Sequence, residues 1–207
     1  MGATTRIKSE GRELSGEKAQ AIVEAMRTSV AEVGIAGSTF ARVAAKAGVS
    51  RGLLHYYFGT KERLLIEVIR RDTEYRVAAL GEAVRSADDV DGVIAAILAA
   101  FDRTVTEERG YVYMVSELFV AGRHLDEIRR ELGALYSRAR GALAAILREK
   151  AAEGVLALRF DAESVVAHML ATGDGAIVQL LTDPTLDLEG AEAVSDEVYR
   201  FLLDTRR

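Results

Sequence analysis

Cysteine and tryptophan are absent from this 207-residue sequence, which also has only one proline and three histidines. Without cysteine the chain can form no disulfide and can use no thiolate for catalysis or zinc binding. With 6% aromatic residues and many Ala, Leu, Glu and Arg residues, the sequence has helix propensity almost throughout and little from which to build a sheet. The composition therefore predicts an all-α protein.

Long apolar runs are also missing. The longest, Val93 to Phe101, has nine residues, whereas a membrane-spanning helix needs about 20. The segment from Met1 to Glu13 is polar and lacks the apolar stretch of a secretory signal. We therefore expect a cytoplasmic protein without a membrane partner.

The common enzyme motifs are not found either. The three histidines, His55, His124 and His168, belong to no HExxH motif, and the sequence has no phosphate-binding loop or nucleophile elbow. His168 and Asp174 lie six residues apart on one predicted helix and so on different faces, with no serine placed to complete a triad. We expect no enzyme, no catalytic residue, no metal site and no cofactor.

Charge is distributed unevenly along the chain, whose formal net charge is −5. Residues 1–75 contain 12 Lys and Arg against 9 Asp and Glu, whereas residues 76–207 contain 15 against 23. Within residues 38–71 the count is 7 against 2, which concentrates positive charge in one short segment. This asymmetry favours a nucleic-acid partner for the N-terminal part.

Apolar spacing and capping residues in this basic segment predict a helix-turn-helix. One helix follows Ser15 and closes at Gly34; a short second helix begins after Ser38 as its N-cap and ends at Gly48. Ser50 caps a third helix, which Gly59 and Thr60 separate from a long fourth helix beginning near Lys61. Two short helices joined by a tight turn are typical of this DNA-binding motif.

The third helix is suited to the major groove, because its two faces differ in chemistry. Leu54 and Phe58 lie four residues apart on the inner face, which leaves Arg51 and His55 together on the outer face as donors to base edges. Gly52 costs helix stability, so close approach to DNA is one reason for its presence, and drift is the alternative.

These residues together resemble the DNA-binding domain of TetR-family transcriptional regulators over Lys18 to Leu65. The resemblance rests on Gly34, Ser38-Thr39-Phe40, Val43-Ala44, Ala47-Gly48-Val49-Ser50, Gly52, Leu54, Tyr56-Tyr57-Phe58 and Lys61-Glu62-Arg63-Leu64-Leu65. It implies base contacts from Arg51, Gly52 and His55, and phosphate contacts from Ser50, the Leu53 backbone, Tyr56 and Lys61. Ser38 and Thr39 of the same motif are also expected at the DNA. The family usually has tyrosine at the position of His55 and a larger apolar residue at that of Val30.

Beyond residue 75, apolar stripes predict long amphipathic helices over Val90 to Val105, Leu125 to Leu147, Val165 to Leu181 and Leu188 to Leu203. Leu132 to Tyr136 and Gly173 to Pro184 resemble the BetI-like branch of the family. The family resemblance implies a ligand pocket within helices five to eight and a homodimer built from the last two helices. Polar residues that interrupt the apolar faces are the ligand-binding candidates: Tyr111, Tyr113, Glu117, His124, Tyr136, His168 and Asp174. Each can equally be an ordinary core or rim residue, and Asp174 between two glycines also fits close approach of helices in a dimer.

We therefore expect a flexible basic arm over residues 1–14, a helix-turn-helix domain over 15–60, and a helical ligand-binding and dimerisation domain over 61–207. The predicted function is a ligand-responsive repressor that binds an operator in double-stranded DNA as a dimer and is released by a small-molecule inducer. A helical scaffold without DNA binding explains the amphipathic helices equally well but does not explain the segment from Ser38 to Lys61.

Overall fold

A computed structural model of the chain describes residues 8–9, 12–13, 16–107, 109–183, 185–186 and 189–204. The described residues form nine helices and one small antiparallel hairpin, with β1 at Lys8–Ser9 and β2 at Arg12–Glu13. The helices are α1 (Gly16–Gly37), α2 (Phe40–Ala47), α3 (Arg51–Phe58), α4 (Lys61–Arg85), α5 (Val90–Thr106), α6 (Arg109–Gly122), α7 (Asp126–Ala152), α8 (Ala162–Thr182) and α9 (Glu189–Leu203). The all-α prediction is confirmed. Apart from the hairpin, the predicted basic arm lies outside the described residues.

The chain divides into two compact units. The first contains Met1–Asp72 and Arg109–Gly133, and the second contains Thr73–Glu108 and Ala134–Arg207. The boundaries differ from the predicted one at residue 60, because the beginning of α4 and the whole of α6 belong to the same unit as α1 to α3. Packing of α6 against α1 joins these segments, although they are distant in sequence.

The turn between α1 and α2 differs from the prediction in the residue that caps α2. Gly34 has a positive φ of 70° and kinks α1, as its predicted position at the helix end suggested. The N-cap of α2 is Thr39, whose hydroxyl accepts from the Arg42 N–H at 3.3 Å, and not Ser38. Ser38 is fully buried and donates from its hydroxyl to the Gly34 carbonyl at 2.7 Å, so it cannot reach DNA as expected.

The second unit has its own apolar core, in which α5, the second part of α7, the beginning of α8 and the end of α9 meet. Its most buried members include Val93, Ile94, Val165 and Leu203. The end of α9 is capped by the segment before α8, because the Ala157 and Arg159 N–H groups donate to the Leu203 and Leu202 carbonyls. These bonds satisfy helix-end carbonyls that have no partner within their own helix.

Candidate nucleic-acid interface

Helix α3 is held by short-range signals at both ends. The Ser50 hydroxyl accepts from the Leu53 N–H at 3.2 Å, which confirms Ser50 as the N-cap. Gly48 adopts a left-handed conformation with φ of 65° and ends α2 two residues earlier. Leu54 and Phe58 are buried in the first unit, as their spacing predicted. The N-terminus of α3 is therefore presented on a fixed support.

The opposite face of α3 is exposed and polar. Arg51, Gly52, His55 and Tyr56 are all exposed, and half of the Tyr56 surface (51%) is accessible. Arg51 and His55 contact each other, since Arg51 Nε donates to His55 Nε2 at 3.3 Å. The face therefore offers donors together with the positive end of the helix dipole, the combination that suits base edges and phosphate.

Gly52 has open space around it. A Cβ at this position would meet no atom closer than the Ser50 hydroxyl oxygen, at 3.9 Å. Packing within the protein therefore does not require glycine here, which leaves close approach of DNA and drift as the two explanations.

Lys61 has a partner that the sequence did not indicate. Its ammonium group donates to the Ile35 carbonyl at 3.1 Å and is part-buried, so it ties the beginning of α4 to the end of α1. The predicted phosphate contact would use the remaining N–H bonds of the same ammonium group.

Several other basic residues of the first unit are already paired. Glu32 of α1 accepts from Lys46 at 2.8 Å and from Arg42 at 3.1 Å, and these two cations hold the pKa of Glu32 below its usual range. Arg70 and Arg71 of α4 both pair with Glu67 at 2.7 Å. Pairing reduces the positive field of this segment and leaves the guanidinium of Arg51 prominent on α3.

The ligand-binding candidates fall in both compact units. Tyr111, Tyr113, Glu117 and His124 belong to the first unit, whereas Tyr136, His168 and Asp174 belong to the second. Of these seven, the structure brings together Tyr136 and Asp174. Tyr113 is half exposed (52%), and Glu117, His124 and His168 are also exposed. Their spacing in the sequence did not indicate which two would meet.

Tyr136 and Asp174 form a half-buried polar pair between α7 and α8. The Tyr136 hydroxyl donates to Asp174 Oδ1 at 3.0 Å. Burial raises the pKa of Asp174, and the bond from Tyr136 opposes that shift. The neighbouring Gly173 faces the ring of Phe101, which would lie 3.7 Å from a Cβ at this position. Phe101 is distant from Gly173 in the sequence, so only the packing of α5 against α8 shows that they are neighbours. Among the described residues, no cation forms a salt bridge with this carboxylate.

Helices α8 and α9 leave apolar side chains uncovered. Val178, Val194 and Phe201 are each more than half exposed, at 58%, 63% and 53%. Among the described residues α8 alone is long and apolar enough to cross a membrane, and 11% of its apolar 18-residue stretch is buried. Polar residues interrupt the apolar residues of α8, so this helix contains no long uninterrupted apolar run. Length and composition alone are weak indications of a membrane span, and an exposed apolar helix equally suits a protein partner.

No group of three or more His, Cys, Asp or Glu residues within the described ranges could hold a metal ion.

A helix-turn-helix with a polar N-terminal face, joined in one chain to a separate helical unit, defines the class of helix-turn-helix transcriptional regulators. Residues 22–68 match the model of bacterial regulatory proteins of the tetR family, and residues 90–203 match that of the BetI-type transcriptional repressor C-terminal region. The chain therefore belongs to the TetR family, with a C-terminal region of the BetI type. It is a ligand-responsive, DNA-binding transcriptional regulator and not an enzyme.

Individual relatives agree with this assignment. The regulator BetI of Rhizobium meliloti is 28% identical over 185 residues, which span 86% of this chain and 85% of that protein. BetI 2 of Chromohalobacter salexigens is 36% identical over 88 residues, 41% of this chain and 42% of that protein.

Solved structures show the same fold. A TetR transcription regulator from Haloarcula marismortui has a TM-score of 0.73 at 23% identity, covering 91% of this chain and 99% of that one. A transcriptional regulator from Saccharomonospora viridis, solved in complex with choline, has a TM-score of 0.70 at 18% identity, covering 92% of this chain and 100% of that one.

Proposed function

We propose that this regulator is a repressor that binds a palindromic operator as a homodimer and is released when a small molecule binds its C-terminal region. The observation that carries the proposal is the exposed polar face of α3, capped by Ser50 and anchored by Leu54 and Phe58. DNA binding is assigned to the helix-turn-helix within residues 15–60. Ligand binding and dimerisation are assigned to the second unit. A cytoplasmic location follows from the DNA partner.

Contacts with DNA are assigned by position on the exposed surface. We assign base contacts to Arg51 and Gly52, and His55 lies beside Arg51 on the same exposed face. Phosphate contacts are assigned to exposed or part-buried groups at the beginnings of α2, α3 and α4, namely Thr39, Ser50, the Leu53 backbone and Lys61, and to the exposed Tyr56 in the last turn of α3. Ser38 is excluded from this set because it is buried.

Selection of DNA from a random pool by the purified protein, followed by sequencing, tests this assignment. We expect an inverted repeat whose half-sites are about 34 to 36 Å apart, one helical turn. Arg51→Ala should cost about 1 to 3 kcal/mol per half-site and relax the preference at one base pair, with a guanine expected there. Arg123→Ala, which removes an exposed arginine after α6, is the control. A variant that binds every sequence more weakly by the same factor would make Arg51 a phosphate contact only.

The homodimer is supported by the apolar side chains that α8 and α9 expose. Val178, Val194 and Phe201 lie on the two helices that the family resemblance assigns to the dimer, and a second copy of the same surface would cover them. Such an interface also accounts for an apolar α8 without a membrane. Sedimentation of the protein as a monomer at micromolar concentration would contradict this assignment.

The Tyr136 and Asp174 pair is our proposed anchor for the ligand. A half-buried carboxylate with no cation beside it in the described part of the chain favours a ligand that carries positive charge. The choline complex of the structurally similar Saccharomonospora viridis regulator supports this class. Calorimetric titration with choline tests it: Asp174→Asn should weaken binding strongly, whereas Glu82→Gln, which neutralises an exposed carboxylate of α4 in the same unit, should leave it unchanged. Equal affinities for all three proteins would place the ligand elsewhere.

Release of DNA requires that the ligand prefer the state that cannot bind the operator. A nearly complete switch requires a difference of about 5.5 kcal/mol between the two states, and operator DNA must then weaken ligand binding by the same factor. Titration with and without operator measures this factor directly. Identical affinities in the two titrations would rule out the tested compound as the inducer.

A further inference from the structure

The exposed face of α3 contains an interaction between its two long polar side chains. Arg51 Nε donates to His55 Nε2 at 3.3 Å across one helical turn. An arginine nitrogen is always a donor, so Nε2 of His55 has to be the acceptor and has no proton in this arrangement. Nε2 of His55 is thus engaged with Arg51.

The imidazole is itself held by a neighbouring helix. Its ring meets the ring of Phe40 edge to face, with centroids 4.7 Å apart and planes at 72°. Phe40 is buried at the beginning of α2, so it gives the imidazole a fixed support. The two cations of α2, Arg42 and Lys46, are paired with Glu32 of α1 and not with His55.

We propose that His55 is a positioning residue for DNA recognition, which orients Arg51 towards its base pair and does not read a base through Nε2. The inference rests on the proposed role of Arg51 in base reading. With Nε engaged by His55, the N–H bonds of Nη1 and Nη2 remain available for a bidentate contact with guanine O6 and N7. A long, flexible side chain fixed before binding loses less freedom when it meets DNA.

Two substitutions of His55 separate this role from simple packing. His55→Phe keeps an aromatic ring beside Phe40 but removes the acceptor. His55→Gln loses the ring but places its Oε1 acceptor within reach of Arg51. Thermal unfolding of each variant, recorded alongside, identifies any general loss of the fold.

The measurement is the affinity ratio between the operator and an operator changed at the base pair for which Arg51→Ala loses its preference. Arg51→Ala should lower this ratio about tenfold. His55→Phe should lower it roughly two- to fivefold, the effect of one hydrogen bond to a charged group at an exposed site, and His55→Gln should restore most of the loss. In the Arg51→Ala background, His55→Phe should have no further effect on the ratio.

Three outcomes would overturn the proposal. If His55→Phe retains the wild-type ratio, Arg51 needs no support from His55. If His55→Phe lowers the ratio equally with and without Arg51, His55 reads the base pair itself. If Arg51→Ala binds operator with every base preference intact, the base-reading role of Arg51 fails, and the positioning role fails with it. The first two outcomes leave the proposed role of Arg51 standing.

Discussion

Helices α3 and α8 expose surfaces of opposite chemistry. The eight-residue α3 buries Leu54 and Phe58 and exposes Arg51, His55 and Tyr56. The 21-residue α8 buries Val165 and Val166 near its beginning and exposes apolar surface, including Val178, further on. A polar exposed face at a helix N-terminus suits a polyanion, whereas an apolar exposed face suits another protein surface. Both helices bury apolar residues, so the chemistry of the exposed face, and not that of the buried face, distinguishes the kinds of partner that the two helices suit.

A single charged side chain should disrupt the dimer interface that we assign to α8. Val178→Asp should weaken the dimer about a hundredfold, because a two-fold interface would bury two unpaired carboxylates. Val120→Asp is a matched control, since Val120 of α6 has the same 58% exposure. Sedimentation equilibrium gives both dissociation constants. If the two variants dissociate equally, α8 has no special role in association.

Two glycines of the helix-turn-helix should respond in opposite ways to the same substitution. Gly48→Ala should lower the free energy of unfolding by about 1 to 2 kcal/mol, because φ of 65° is unfavourable for alanine. Gly52→Ala should raise it by roughly 0.5 to 1 kcal/mol, since Gly52 lies within α3 with space for a methyl group.

Urea unfolding measures both effects, and a gel-shift assay then sharpens the assignment of α3. Gly52→Ala should weaken operator binding despite its higher stability, if DNA approaches α3 closely. Unchanged operator affinity would mean that the glycine serves no DNA contact.

Substitution of Lys61 tests whether one side chain both stabilises the fold and contacts a DNA phosphate. Lys61→Met should lower unfolding free energy by about 1 kcal/mol through loss of the bond to the Ile35 carbonyl. The salt slope of operator binding should also fall by roughly 2 per dimer, one phosphate per half-site. Arg123→Met, measured in the same way, controls for net charge. Lower stability with an unchanged salt slope would confine Lys61 to a structural role.

The smallest expected effect concerns two carboxylates of the α8 region, whose pKa values shift in opposite directions. Burial raises the pKa of Asp174, so its ionised form destabilises the folded state at neutral pH. Asp174→Asn should therefore unfold at a higher temperature than wild type at pH 7. The difference should disappear as the pH falls through the raised pKa and below the usual carboxyl range.

Asp161, the N-cap of α8, supplies the matched control. Hydrogen bonds from Ser164 lower the pKa of Asp161, so its ionised form stabilises the folded state above the usual carboxyl pKa. Asp161→Asn should unfold at a lower temperature than wild type at pH 7, and the difference should vanish as the pH falls through the lowered pKa. The same sign for both variants would contradict the opposite shifts.

Helix α6 shows why part of the fold could not be predicted from the sequence. Its residues are apolar on several faces and include β-branched and aromatic side chains, so periodicity did not separate it from its surroundings. Packing against α1 places this helix with the DNA-binding segment, which no local pattern indicates. By contrast, α3 was predicted with its N-cap and its buried residues, because its signals lie within a few positions of one another.

The sequence by itself determined the all-α class, the helix-turn-helix, the C-terminal end of α2 and both ends of α3. A cap such as Ser50 on the Leu53 N–H joins residues three apart, and the left-handed Gly48 depends on its own backbone. Residue type therefore decides such features locally.

Tertiary structure alone decided the burial of Ser38 and the partners of the functional side chains. The bond from Lys61 to Ile35 spans 26 positions and that from Tyr136 to Asp174 spans 38. His55 likewise meets Phe40 across the turn between α2 and α3. Such partners depend on how helices pack, and packing is set by the shapes of many side chains together rather than by any short stretch of sequence.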